Sequence, residues 1–353
     1  MILRFPADLA RAAGLATLLL LAACGRTPVL GPVAGAGERI ELADVPFFPQ
    51  DAYQCGPAAL ATVLRQSGVA VAPEQLVAAV YLPDRKGSLQ VELAAAARRH
   101  GRVPYPIDPD LAGLLNALRA GRPVLVLQNL GIRDWPLWHF AVVIGFDARR
   151  EEFILRSGTT RRETTAAARF LRTWELGGNW GLVLLAPGEL LPDTDRERYL
   201  RAVTDMEGVA PPDALREAFA AAVARWPGDP WALVGLGNAQ YGAGDARAAE
   251  AVFRDLLARD PGHLVASNNL AQILGERGCR TAALAILDPA LAQLPSDAPE
   301  RAQLVATRAE IVAAPAAPEP GDCPQVTDDG GPGRAALRLP TADGQAAKRL
   351  VWP

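Results

Sequence analysis

The chain has 353 residues, half of them apolar, and 36 lysines and arginines against 39 carboxylates give a formal net charge of -3. That length predicts two domains more readily than one. A balanced charge without a long basic block excludes a nucleic-acid binder built on phosphate contacts, and three dispersed histidines with no Cys-x-x-Cys pair exclude an evident zinc site. With no phosphate loop either, no cofactor or metal is expected.

At the N-terminus, Arg4 and Arg11 precede the apolar run AAGLATLLLLAAC, which ends at Cys24. A spanning helix needs ~20 apolar residues, so residues 1–24 read as an export signal rather than a membrane span. Leu21-Ala22-Ala23-Cys24, followed by Gly25, resembles the lipobox of bacterial lipoproteins. The resemblance implies cleavage before Cys24 and lipidation of that cysteine. With no aspartate at position 25, it also implies the outer membrane, periplasmic face. Cleavage of an ordinary signal peptide elsewhere is the alternative. Residues 25–44, rich in Gly, Pro, Ala and Val, read as a tether.

Residues 45–188 read as one α+β domain. PAALATVLRQSG, PEQLVAAVYLP, SLQVELAAAARRHG and DPDLAGLLNALRAG are helix-like. In the last of these, Leu111, Leu114, Leu115 and Leu118 form one helix face, and Gly121 stops it. Beyond Gly121 the pattern changes to the short apolar runs PVLVLQNL, WHFAVVIGFD, EEFILRSGTT and WGLVLLAP. The polar stretch Ala148 to Glu151 predicts a hairpin between the second and third. Helices first and strands after predict an antiparallel sheet.

Residues 196–312 are almost all helix formers and repeat every 34 positions. Leu236 and Leu270, Gly244 and Gly278, Ala249 and Ala283, Phe253 and Leu287, and Pro261 and Pro295 fall in register. The pattern resembles the tetratricopeptide repeat, with Gly237 at that family's helix-packing position and Ala271 in its place one copy later. Phe219 and Pro227 mark a degenerate upstream copy. The resemblance implies an all-α solenoid that binds a protein partner. Residues 313–353, rich in Pro, Gly and Asp, read as a poorly ordered tail. An exported compartment permits a Cys279–Cys323 disulfide tying that tail to the helices; two free thiols are the alternative.

Cys55 stands before Gly56-Pro57 and an apolar run. Proline suits a helix's first turn, so Cys55 falls at or just before a helix N-terminus, whose partial positive charge favours a thiolate nucleophile. A thiolate needs a base. His263 falls at an inter-repeat turn and His100 at a helix end; His139 opens a buried strand, preceded by Trp135 and Trp138, which either wall a cleft or simply pack.

Helix-borne cysteine followed by strand-borne histidine is the order of papain-like cysteine peptidases. QDAYQCGPAALATVL and WHFAVVIGFD resemble the C39-like family over roughly residues 45–188. The resemblance implies Cys55 as nucleophile, His139 as general base and a glutamine as oxyanion donor, best matched by Gln50, with Gln54 the alternative. The family's orienting aspartate is missing. Ser157-Gly158 stands in its place, so the orienter is Ser157 or a neighbouring threonine, unless Ser157 is merely a turn residue. Asp147, eight strand residues from His139, lies about 26 Å away. The expected function is a lipid-anchored peptidase acting on a peptide or protein, with repeats recruiting substrate or partner. The alternatives are a silent peptidase-like domain in a binding scaffold, and acyl transfer on a non-peptide substrate.

Overall fold

The computed structural model describes residues 29–31, 33–50, 54–315, 318–328 and 335–338. Cys24 and the expected signal segment lie outside them. The first domain carries strands β1 (Arg39–Glu41), β2 (Val103–Pro106), β3 (Val124–Asn129), β4 (Trp138–Asp147), β5 (Glu152–Ser157), β6 (Thr160–Ala166) and β7 (Gly181–Leu185). Its helices are α1 (Cys55–Gln66), α2 (Pro73–Val80), α3 (Gln90–Arg99), α4 (Leu111–Arg119) and α5 (Ala167–Leu176). The strands form one antiparallel sheet ordered β2-β7-β3-β4-β5-β6, with β1 paired to the far end of β4.

Both sheet faces are covered, which is why the central strands read as unbroken apolar runs. On β4, Phe140, Val142 and Ile144 face a core with Leu60 and Leu64 of α1, Leu76 of α2 and Leu93 of α3. Ala141 and Val143 face the other way, toward Leu114 and Leu118 of α4 and Phe170 and Trp174 of α5. Each such Leu or Phe, taken from water, contributes about 1.5–3 kcal/mol.

Three differences from the sequence reading follow from packing. The described residues of the stretch 25–44 do more than tether. Leu30 is fully buried, the Val29 and Leu30 amides donate to the Glu151 carboxylate, and β1 adds a strand to β4. β2, β6 and α5 were not anticipated. β6 is an edge strand whose TRRETTA has no apolar alternation, and β2 holds two prolines. α5 does carry an apolar face, Ala167, Phe170, Leu171 and Trp174, beside the Phe153 ring. The tail is also partly built. The Glu319 carboxylate accepts from the Thr281 amide at 2.6 Å, Asp322 accepts from Arg277 at 2.8 Å, and residues 325–328 pair with 335–338.

Helices α6 (Arg196–Thr204), α8 (Pro230–Gly242) and α10 (Leu264–Glu276) start 34 residues apart, as do α7 (Pro212–Arg225), α9 (Ala246–Arg259) and α11 (Arg280–Gln293); α12 (Arg301–Ala313) follows. Ala249 and Ala283, and Phe253 and Leu287, are all fully buried. Gly237 has its reason here, since a Cβ on it would lie 2.5 Å from the Phe253 ring. His263 caps α10 by accepting from the Ala266 amide rather than standing free in a turn. Cys279 and Cys323 are bridged across a sequence separation of 44, a loop closure worth about 4 kcal/mol of unfolded-chain entropy. Tyr199, Leu200 and Val203 of α6 join the α4–α5 core, so the repeats grow directly from one sheet face. No helix among the described residues is long and apolar enough to cross a membrane.

Candidate active site

α1 begins at Cys55, with Gln54 as its cap. Pro57 is therefore the third helical residue, within the first turn, where its missing N–H costs nothing, since the first four amides have no intrahelical partner. No side chain caps this end and no carboxylate stands in its first turn. The positive end of the helix dipole is therefore left for a group at Cys55.

Gly56 makes a close approach possible. A Cβ there would lie 2.2 Å from Ser88 Oγ and 2.5 Å from Ser88 Cβ. Gly56→Ala is therefore expected to cost about 1–3 kcal/mol of stability, recovered in Gly56→Ala/Ser88→Gly. Urea denaturation of the two variants checks this, and an unaltered midpoint in the single variant would refute the close approach.

His139 enters on β4, opposite Gln128 of β3. The β4–β5 register pairs Val142 with Arg156, so Ser157 follows one step beyond, diagonal to His139 on the same face. The His139 Nε2 and Ser157 Oγ are 3.0 Å apart. Burial pushes the His139 pKa below its usual 6.5, opposed only in part by the Glu163 carboxylate of β6. Ser157 opens a tight turn closed by Thr160, and the Gly158 carbonyl in that turn accepts from the Gln50 amide at 3.1 Å.

These pieces meet in a cleft of about 1180 Å³ lined by Gln50, Cys55, Ser88 and His139. Ser157 touches His139 but is not among the residues lining the cleft. Gln54 is the α1 cap, and Asp147 sits at the other end of β4, accepting from the Arg149 and Arg150 amides. Leu127, Pro136, Leu137, Trp138 and Phe140 form an apolar side of the cleft, and Arg85 and Lys86 stand at its edge. Among the described residues no cluster of potential metal ligands occurs.

The sequence reading missed what holds the rim. Asn129 Oδ1 accepts from the amides of Gly131 and Leu137, each at 2.9 Å, and so pins the loop between β3 and β4. An asparagine two residues before a glycine is a turn signal that could have found it. The loop exposes Ile132, Trp135 and Leu137; Trp138, the first residue of β4, lines the cleft, whereas Trp135, 76% exposed, does not pack. Glu163 carries no local signal, since its approach to His139 depends on the β5–β6 pairing.

Residues 42–180 match the model of the C39-like peptidase family, and residues 240–307 match that of the tetratricopeptide repeat. No curated protein is significantly similar. Among solved structures, the chain is similar to one described as a C39-like peptidase from Bacillus anthracis, at 17% identity over 42% of this chain and 98% of that one, with a TM-score of 0.36. It is also similar to the peptidase domain of Streptococcus ComA, a bi-functional ABC transporter, at 23% identity over 40% and 98%, with a TM-score of 0.34. A third is a double glycine motif protease from an AMS/PCAT transporter, solved with its leader peptide, at 24% identity over 40% and 91%, with a TM-score of 0.30. The chain joins a domain of the C39-like peptidase family to tetratricopeptide repeats.

Proposed function

We propose that this chain is a cysteine peptidase held at the bacterial envelope by a lipid on Cys24, with its repeats recruiting a substrate or partner protein. The observation that carries the reading is the single cleft lined by Gln50, Cys55 and His139, with Ser157 on the imidazole. Cys55 Sγ bonds to the scissile carbonyl carbon as its proton passes to His139. The C–N bond then breaks, the amine leaves with that proton, and water hydrolyses the thioester to regenerate the thiol. Gln50 donates to the oxygen that becomes negative in between. The apolar rim suits a peptide with apolar side chains near the cut.

The test is hydrolysis of a proteome-derived peptide mixture by the purified chain, read as new N-termini by mass spectrometry. New termini are expected from the wild type and none from Cys55→Ala. Equal products from both, or none from either, would refute a peptidase using Cys55.

The anchor has its own geometry. Val29 is five residues from Cys24, a reach of at most ~18 Å, and it is bonded at the β4–β5 turn. A lipid on Cys24 thus holds that turn near the bilayer. His139, at the other end of β4, faces away from it by eight residues, about 26 Å. Cys24→Ser is expected to move the chain from the membrane to the soluble fraction; retention in the membrane pellet would count against a lipid anchor.

A further inference from the structure

Ser88 precedes α3 in the turn that follows Pro83–Arg85, a turn held by the Leu82–Gly87 bridge and by Lys86 at a φ of 48°. A serine just ahead of a helix ordinarily caps it by accepting from a first-turn amide. Ser88 does not, since Leu89 occupies the cap position and α3 has no side-chain cap. Instead the hydroxyl turns toward Gly56, with Oγ 2.2 Å from where a Cβ would be, beside the start of α1. That oxygen is buried without any hydrogen-bond partner, yet Ser88 lines the same cleft as Cys55 and His139. A buried hydroxyl left unpaired is a standing cost. Its expected partner is an atom that enters the cleft with the substrate.

We propose that Ser88 is a further catalytic residue, donating its O–H to the carbonyl oxygen of the group attacked by Cys55. The proposal rests on the cysteine-peptidase reading of this cleft. Gln50 and Ser88 then approach the developing oxyanion from two chain segments, one pinned by the Gly158 carbonyl and the other packed on Gly56. The hydroxyl is unspent in the free protein and becomes paired only as charge develops, which is the condition for stabilising a transition state more than a ground state.

A peptidyl aldehyde with leucine side chains isolates this role. Cys55 Sγ adds to the aldehyde carbon, the carbonyl π pair moves to oxygen, and the thiol proton reaches that oxygen through His139, giving a neutral hemithioacetal. A disulfide reagent, 4,4'-dithiodipyridine, reacts with the same sulfur by thiol–disulfide exchange. It releases pyridinethione and develops no negative oxygen. In the purified full chain, aldehyde binding is read as protection of Cys55 from the disulfide reagent, with modification located by peptide mass spectrometry. Ser88→Ala is expected to leave the unprotected labelling rate within twofold and to weaken aldehyde affinity about tenfold, the worth of one hydrogen bond to the hemithioacetal oxygen. Its melting midpoint should stay or rise, because the lost hydroxyl had no partner.

Aldehyde affinity within threefold of wild type would overturn the role of Ser88 alone. A lower melting midpoint together with slower labelling would mark a structural serine, and overturns it as well. Ser88→Gly, which also relieves the Gly56 contact, repeats the test if the alanine variant does not fold. Absence of aldehyde protection in the wild type would instead defeat the peptidase reading, and the role of Ser88 with it.

Discussion

Cys55→Ala is expected to remove measurable peptide hydrolysis, a fall of roughly 10⁴-fold or more in kcat/KM, and His139→Ala is expected to cost about 10³-fold or more. No second thiol among the described residues can substitute, because Cys279 and Cys323 are bridged and distant in the fold. The base acts as neutral imidazole, and burial holds the His139 pKa below 6.5. The rate should therefore stay high down to pH 6.5 and fall only as pH drops through that lowered value. Stability has the same sign. The unfolded chain protonates His139 near 6.5 and the folded chain at lower pH, so unfolding takes up a proton between the two values. The contribution is fully present above pH 6.5 and lost as pH falls through the folded value. Initial rates and urea midpoints between pH 8 and 5 check both statements. An acid limb centred above 6.5, or hydrolysis retained in Cys55→Ala, would refute the assignment.

How far residues reveal this site depends on whether their partners are local. The Cys55 helix start and the His139 strand could be read because each is a property of about a dozen neighbouring residues. The 34-residue period could be read because Ala249 and Ala283 face the same packing problem in successive copies. Ser157 could be placed near His139 because a hairpin has only one short way to fold back, and the Val143/Gly145 irregularity shifts that register by a single residue. What stayed hidden depends on distant contacts. Leu30 reads as part of a Gly/Pro-rich leader until Glu151, 121 residues on, takes up its amide. Asp322 sits in a polar tail that becomes structure through Arg247 and Arg277. Ser88 has no sequence mark at all, because its hydroxyl is defined by Gly56 approaching from another helix.

Ser157→Asp gives the other large effect, and the reason is tautomeric. A serine hydroxyl both donates and accepts. At 3.0 Å from His139 Nε2, Ser157 can therefore accept from Nε2–H, leaving the Nδ1 lone pair as base. It can equally donate to a bare Nε2, which puts the proton on Nδ1 and removes the base from the cleft. A carboxylate only accepts, so an aspartate at 157 permits the first arrangement alone. It also favours the imidazolium that forms when Cys55 gives up its proton, which burial now disfavours. The His139 titration midpoint should rise by ~1–2 pH units, and hydrolysis at pH 7.5 several-fold. With only three histidines in the chain, ring-proton NMR resolves the midpoint directly. Ser157→Ala should lower the rate by up to about tenfold, the worth of one uncharged hydrogen bond. If the aspartate leaves the His139 midpoint where it was, the side chain at 157 does not face the imidazole, and some other group orients the base.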